Sequence, residues 1–250
     1  FDLMYGLPHQ TSRSLARTIA RAVELGPDRI ALFGYAHVPW LAKRQRMLPA
    51  EALPGPDERL EQAETAAELL EHHGYQRIGL DHFARPDDAM ARAARDGRLA
   101  RNFQGYTVDR ATTLIGLGAT AISSLPQGYA QNTAATGAYV RAVSAGQLPV
   151  SRGYRLTGED RVRRAVIERL MCELEVDLAA IATAHGYAPD HFAPELDRCQ
   201  RFVGEGLLRI EAGKLWIADA GRAALRVVAA QFDQHFASGA GEQPRHAAAV

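Results

Sequence analysis

Residues 76–88 read "QRIGLDHFARPDD". Gln76 to Leu80 has the make-up of a short buried strand, and residues 81–88 then crowd Asp81, Asp87, Asp88, His82, Arg85 and Pro86 into one knot of charge. In parallel α/β folds the carboxyl ends of strands hand over to loops that gather around a ligand. Read this way, Asp81, His82 and Arg85 sit on a ligand-facing rim.

The flanking sequence supports that class. Thr11 is an N-cap signal for a helix carrying Leu15, Ile19, Ala22 and Val23 at helical spacing, ended by Gly26-Pro27. A strand is predicted over 29–35 and a second helix over 57–73, stopped at Gly74. A polar helical stretch runs to about Arg98, and "LIGLGATAISS" (residues 114–124) is another apolar segment. Strands separated by helices predict an α/β fold of parallel strands joined by right-handed crossovers. Gly6-Leu7-Pro8, "YAHVP" (residues 35–39) and Gly116-Leu117-Gly118 then share the rim with the charged knot and face one cavity.

The pattern changes near residue 150. Thr157 caps a run through Cys172, Asp177 opens a second helix, and residues 189–203 form a third. Alternation around Ala212-Gly213 marks a hairpin, and a final helix is predicted over 220–236. Three helices and a two-stranded wing make a winged-helix-like unit. Its third helix carries Glu195, Asp197, Arg198 and Arg201, a mixed face unlike the basic one that phosphate neutralisation demands. The expected organisation is an α/β part over 1–150, a mainly helical cap over 151–237 and a disordered tail over 238–250.

Composition narrows the function classes. The 250 residues are 47% hydrophobic and balance 29 basic against 29 acidic side chains, so whole-chain charge calls for neither nucleic acid nor an anionic membrane. With no apolar run of spanning length and no basic leader, the expectation is a cytoplasmic monomer. Cys172 and Cys199 are the only cysteines and read as small buried hydrophobes, with neither disulfide nor metal spacing. His72-His73 reads as solvated helix surface, whereas His37 and His82 are site candidates beside the rim. No "GxSxG" elbow is present, and "GLGATAIS" lacks both dinucleotide and P-loop spacing.

The segments "DLMYGLPHQT", "YAHVPW", "GYQRIGLDHFARPDDAM", "RNFQGYT", "GLGATAISS" and "YAQN", with "RLTGEDRVRRAVIERLMC" further on, together resemble the oxygen-independent coproporphyrinogen III oxidases of the radical S-adenosylmethionine (SAM) superfamily. The resemblance covers nearly the whole chain. It implies that residues 1–150 are the C-terminal part of a parallel βα barrel. It also implies oxidative decarboxylation of two propionates of coproporphyrinogen III to vinyl groups, with an electron acceptor left undefined. The implied cofactors are two SAM molecules and a [4Fe-4S] cluster on three cysteines. That triplet is absent from this chain, which offers no metal ligands. Phe1 falls inside a strand-like run, so the expectation is a fragment that begins in mid-fold and is inactive alone. The alternative is a cluster-free protein that handles porphyrin or haem on the same scaffold.

Residue by residue, the resemblance implies SAM contacts at Asp2, Ala36, Phe103, Gln104 and Ile122, with Thr120 replacing the serine of the motif around Ile122. Arg85, Arg101 and His82 are candidates for the substrate's carboxylates, and no catalytic residue is assigned.

Overall fold

The computed structural model describes residues 1–237, and the tail expected over 238–250 lies outside the described residues. Strand β1 (Asp2–Tyr5) and strand β2 (Arg29–Gly34) pair in parallel, Asp2 level with Ala31 and Tyr5 with Gly34. Helix α1 (Ser12–Glu24) joins them, started by a capping box in which Thr11 and Ser14 satisfy each other's backbone N–H groups. Helix α2 (Pro56–His72) follows, and Gly74 reverses the chain at φ +84°. Both helices cover one face of the sheet, where Leu15, Ile19, Ile30, Leu32, Ala66, Leu70 and Phe83 form one core. Each fully buried Leu, Ile or Phe there is worth about 1.5–3 kcal/mol.

The charged knot departs from the expected loop. Strand β3 (Gln76–Ile78) ends at Gly79, whose φ of +56° turns the chain straight back into strand β4 (His82–Ala84). β4 pairs antiparallel with both β2 and β3, so the sheet order is β1-β2-β4-β3. The α/β class and the parallel β1–β2 unit match expectation, while the far side of the sheet is antiparallel. The reason is local. "HFA" alternates, sending Phe83 into the helix-covered core and His82 to the opposite face, so it meets the period of a strand.

Asp88 then caps helix α3 (Ala89–Arg95), and hairpin strands β5 (Ala100–Asn102) and β6 (Gly105–Thr107) follow. Of the apolar run 114–124, only an isolated Leu114–Ser124 bridge and strand β7 (Ile122–Leu125) are extended. β7 pairs antiparallel with β8 (Gly128–Asn132), and β8 with β9 (Val150–Arg155), with helix α4 (Thr136–Ser144) between β8 and β9.

The C-terminal part is built as the caps and periodicity predict. Thr157 caps helix α5 (Gly158–Glu173). Strand β10 (Glu175–Asp177) leads to helices α6 (Leu178–Ala184) and α7 (Ala193–Gly204), then to the hairpin of β11 (Leu208–Glu211) and β12 (Lys214–Ile217). β10 adds a third strand to that wing. The helix expected over 220–236 is broken into α8 (Leu225–Ala229) and α9 (Gln234–Ala237), because a 3-10 turn between them drops Phe232 into the core beside Val162, Leu170, Phe192 and Leu215. This core meets the sheet through Leu80 and through Tyr106, whose hydroxyl donates to the Met171 carbonyl at 2.7 Å.

Candidate functional site

Cross-strand partners share a face, so Asp2, Ala31, Phe33 and His82 lie together on the side of the sheet away from α1 and α2. His82 is set there by four neighbours. Its Nδ1 lies 2.8 Å from Asp81 Oδ1, and its ring meets Phe33 and Tyr106 edge-on, at centroid distances of 5.9 and 5.1 Å. Gly105 leaves room for the ring, since a Cβ there would lie 3.3 Å from His82 Cε1. Asp81 also accepts from Arg226 Nη2 at 3.0 Å. With Nδ1 on the carboxylate side, Nε2 is the ring nitrogen left to meet a ligand.

Tyr106 holds this face together. Burial pushes its phenol up to about 12, its oxygen accepts from the Leu80 N–H at 3.1 Å, and Arg101 lies over its ring at 5.1 Å. His82 and Arg101 therefore share one aromatic platform. Arg85 does not join them. Because β4 runs antiparallel to β2, Arg85 leaves the sheet at the start of β2, where its N–H bonds the Asp28 carbonyl and its guanidinium lies 5.3 Å from the Tyr75 ring centroid. Its expected place on the rim is corrected by strand direction.

The residues singled out for SAM fall into two groups. Phe103 packs edge-on against Tyr129 at 5.4 Å, and Tyr129 shares a sheet face with Ser124, Gln131 and Ile122. Gln104 stands beside Phe103 with its N–H held by Asn102 Oδ1 at 2.8 Å. Phe103 and Ile122 are thus brought to one surface, with Gln104 next to Phe103 in the chain. Asp2 is exposed at the first rung of β1–β2, whereas Ala36 lies beyond the last rung, about 16 Å further along the strand direction.

Two of the four predicted rim segments line one cavity of about 650 Å³, through Tyr35 and Ala36 and through Asp81, whereas of the Gly6-Leu7-Pro8 turn only its neighbour Tyr5 reaches it. The Gly116-Leu117-Gly118 segment does not. Asn132 Nδ2 bonds the carbonyls of Gly116 and Gly118, and the Tyr139 hydroxyl accepts from the Gly118 N–H, which ties the turn to β8 and α4. Sequence reading missed Arg59, Arg77, Arg222 and Arg226, which line the same cavity. Only Arg77 carried a local signal, a charge in the middle of a three-residue strand.

The donor set does not fit an iron–sulfur cluster. Burial pushes the Cys172 thiol up to about 12 and that of Cys199 up to about 11, and the two lie in separate cores. Among the described residues no group of three or more His, Cys, Asp or Glu side chains is placed to hold a metal.

Residues 156–223 match the family model for the HemN C-terminal domain. An oxygen-independent coproporphyrinogen III oxidase of Cereibacter sphaeroides (strain ATCC 17025 / ATH 2.4.3) is 50% identical over 234 residues, covering 94% of this chain and 52% of that protein. The enzyme of that name from Bradyrhizobium diazoefficiens is 47% identical over 239 residues, with 96% and 53% covered. The solved structure described as coproporphyrinogen III oxidase (HemN) from Escherichia coli, a radical SAM enzyme, superposes with a TM-score of 0.88 at 39% identity, over 94% of this chain and 54% of that one. Over nearly its whole length this chain is similar to oxygen-independent coproporphyrinogen III oxidases. It spans about half the length of the curated oxidases it matches. The span matched by the family model takes in α5 through β12, with the three-stranded wing.

Proposed function

We propose that this chain is part of an enzyme that oxidatively decarboxylates two propionates of coproporphyrinogen III to vinyl groups, giving protoporphyrinogen IX in haem synthesis without oxygen. The observation that carries this reading is the likeness to the oxidases over 94% of the chain, in sequence and in fold. SAM, when bound, supplies a 5′-deoxyadenosyl radical to this chemistry. Phe103, Ile122 and Ala36 offer apolar walls against water and stray C–H bonds, and Asp2 and Gln104 offer polar contacts. His82, oriented by Asp81, and Arg101 are suited to hold a carboxylate of the substrate on the Tyr106 platform.

No step is assigned to a [4Fe-4S] cluster on this chain, whose thiols do not fit one. In this reading residues 1–150 are barrel and 151–237 cap, and the protein is a cytoplasmic monomer with a separate electron acceptor. In the described residues no helix is long and apolar enough to cross a membrane. The buried, separated thiols also keep a second reading in play, a cluster-free porphyrin-handling protein on this scaffold.

Two measurements test the proposal. Calorimetric titration of SAM into the chain should show binding that Phe103→Ala and Ile122→Asp each weaken at least about tenfold. Iron and acid-labile sulfide should be found in the longest product of the gene after anaerobic reconstitution. Lack of both metal and SAM binding would leave the cluster-free reading.

A further inference from the structure

The cavity of about 650 Å³ at the ends of β1 and β2 has an unusual wall. Five arginines line it, Arg59, Arg77, Arg201, Arg222 and Arg226, against three acids, Glu64, Asp81 and Asp219. The acids are partly spoken for: Asp81 binds His82 and Arg226, and Asp219 lies 3.3 Å from Arg222 Nε. The Nε atoms of Arg59 and Arg77 are buried and have no hydrogen-bond partner among the described residues. A buried donor left unpaired costs about 1–3 kcal/mol, more when charged, so such a pair is a standing demand for an acceptor.

The arrangement of these cations is specific. Arg59 stretches over Gly6 and Gly34, where a Cβ on Gly34 would lie 3.1 Å from its Nη2 and 3.0 Å from the Tyr5 hydroxyl. Arg222 reaches across from the C-terminal part to the Gly79 carbonyl at 3.3 Å, in the turn that follows β3 and its Arg77. Burial lowers the Arg77 pKa and the nearby positive charge of Arg222 lowers it further, against the opposing pull of Glu71, Asp219 and Glu64. Between the arginines the wall is apolar: Leu32, Phe83, Leu60, Ala63, Leu80 and Val227. A volume of this size is typical of small-molecule pockets.

We propose that this cavity binds an organic anion that carries two or more carboxylates on an apolar body. The arginines of the sheet and α2 side (Arg59, Arg77) take one carboxylate and those of the C-terminal part (Arg222, Arg226) another, with the apolar body against Leu32, Phe83 and Val227. A ligand so held pins the C-terminal helices to the sheet. The lining includes Ala36 but none of Phe103, Gln104 and Ile122, and the inference stands on the cavity's own arginines and apolar wall. The tetrapyrrole substrate of the proposed reaction shares this chemistry, and so does any long dicarboxylate.

The test is direct binding to the 250-residue chain. Coproporphyrin III is titrated by its fluorescence, and dodecanedioate and inorganic phosphate by calorimetry. Expected is saturable binding of at least one carboxylate probe, weakened at least about tenfold in Arg77→Gln and in Arg222→Gln, with Arg21→Gln unchanged. Ala63→Phe, which fills the apolar wall and leaves every arginine in place, should weaken binding comparably while melting near the parent temperature. Binding of coproporphyrin III identifies the ligand with the proposed substrate class. Binding of dodecanedioate alone keeps the site and removes that link, without touching the SAM measurement. The site is overturned if neither carboxylate binds, if phosphate binds as tightly as both, or if binding ignores Arg77→Gln and Ala63→Phe together.

Discussion

Tyr106 fills the space that a side chain at Gly79 would need: a Cβ built on Gly79 would lie 2.2 Å from the Tyr106 Cζ and hydroxyl oxygen. The two residues are on different hairpins, and their contact closes the sheet onto the C-terminal helices through the Leu80 N–H and the Met171 carbonyl.

Gly79→Ala should therefore destabilise the protein by about 2–4 kcal/mol, since it adds both a clash and a side chain at φ +56°. Tyr106→Phe should cost about 1–3 kcal/mol by leaving a buried donor and a buried acceptor unpaired. Urea melts of both variants check this. A Tyr106→Phe chain as stable as its parent would show that the phenol bridge does not bind the two parts together.

Asp160 makes stability depend on acid. Burial raises its pKa, but hydrogen bonds from His235 at 2.9 Å, from Thr157 N–H at 2.8 Å and hydroxyl at 2.7 Å, and from Gln234 at 3.0 Å together hold the carboxyl well below the usual range. The folded state prefers the carboxylate. Its contribution is complete above the unfolded value near 4 and drains away as pH falls below that toward the lower folded value. Asp160→Asn should be about 2–3 kcal/mol less stable than the parent at pH 7, with the gap narrowing at pH 3. Denaturant melts at the two pH values decide.

Thr120 sits at φ +67°, left-handed backbone that a β-branched residue occupies at a cost. It is exposed, so little packing is lost on substitution. Thr120→Gly should raise stability by about 0.5–1 kcal/mol, read as a higher melting temperature. A drop would mean that the threonine side chain makes up for its own strain.

Cys172 and Cys199 should both resist Ellman's reagent at pH 8 in the folded protein, because burial raises both thiols far above that pH. Both should react within minutes in urea. Rapid labelling of either in the native state would contradict the burial that sets these values.

Local signals carried much of the fold. Thr11, Thr157 and Asp177 announced their helices through short-range caps, Gly74 ended α2, and Ala212-Gly213 turned the last hairpin. These depend on neighbours within a few residues. The reversal at Gly79 was not legible in this way, because "RIGLDHF" suits a strand leaving toward a loop as well as a strand folding back, and the choice rests on Tyr106 and Leu32 pairing from afar. The same reversal took Arg85 off the rim and set His82 on the open face of the sheet, opposite Ala31. The break between α8 and α9 had a similar origin, in the burial of Phe232 in a core shared with residues far off in the chain, Val162, Leu170, Phe192 and Leu215.

From the sequence alone came the α/β class, the capped helices, the winged C-terminal part and the family that the motifs resemble, all properties written in contiguous residues. Tertiary structure decided the direction of β4, the meeting of His82 with Arg101 on Tyr106, and the gathering of Arg59, Arg77, Arg222 and Arg226 around one cavity. The physical reason is that strand direction and charge clustering are set by contacts between residues distant in the chain, and no short window of sequence contains both partners.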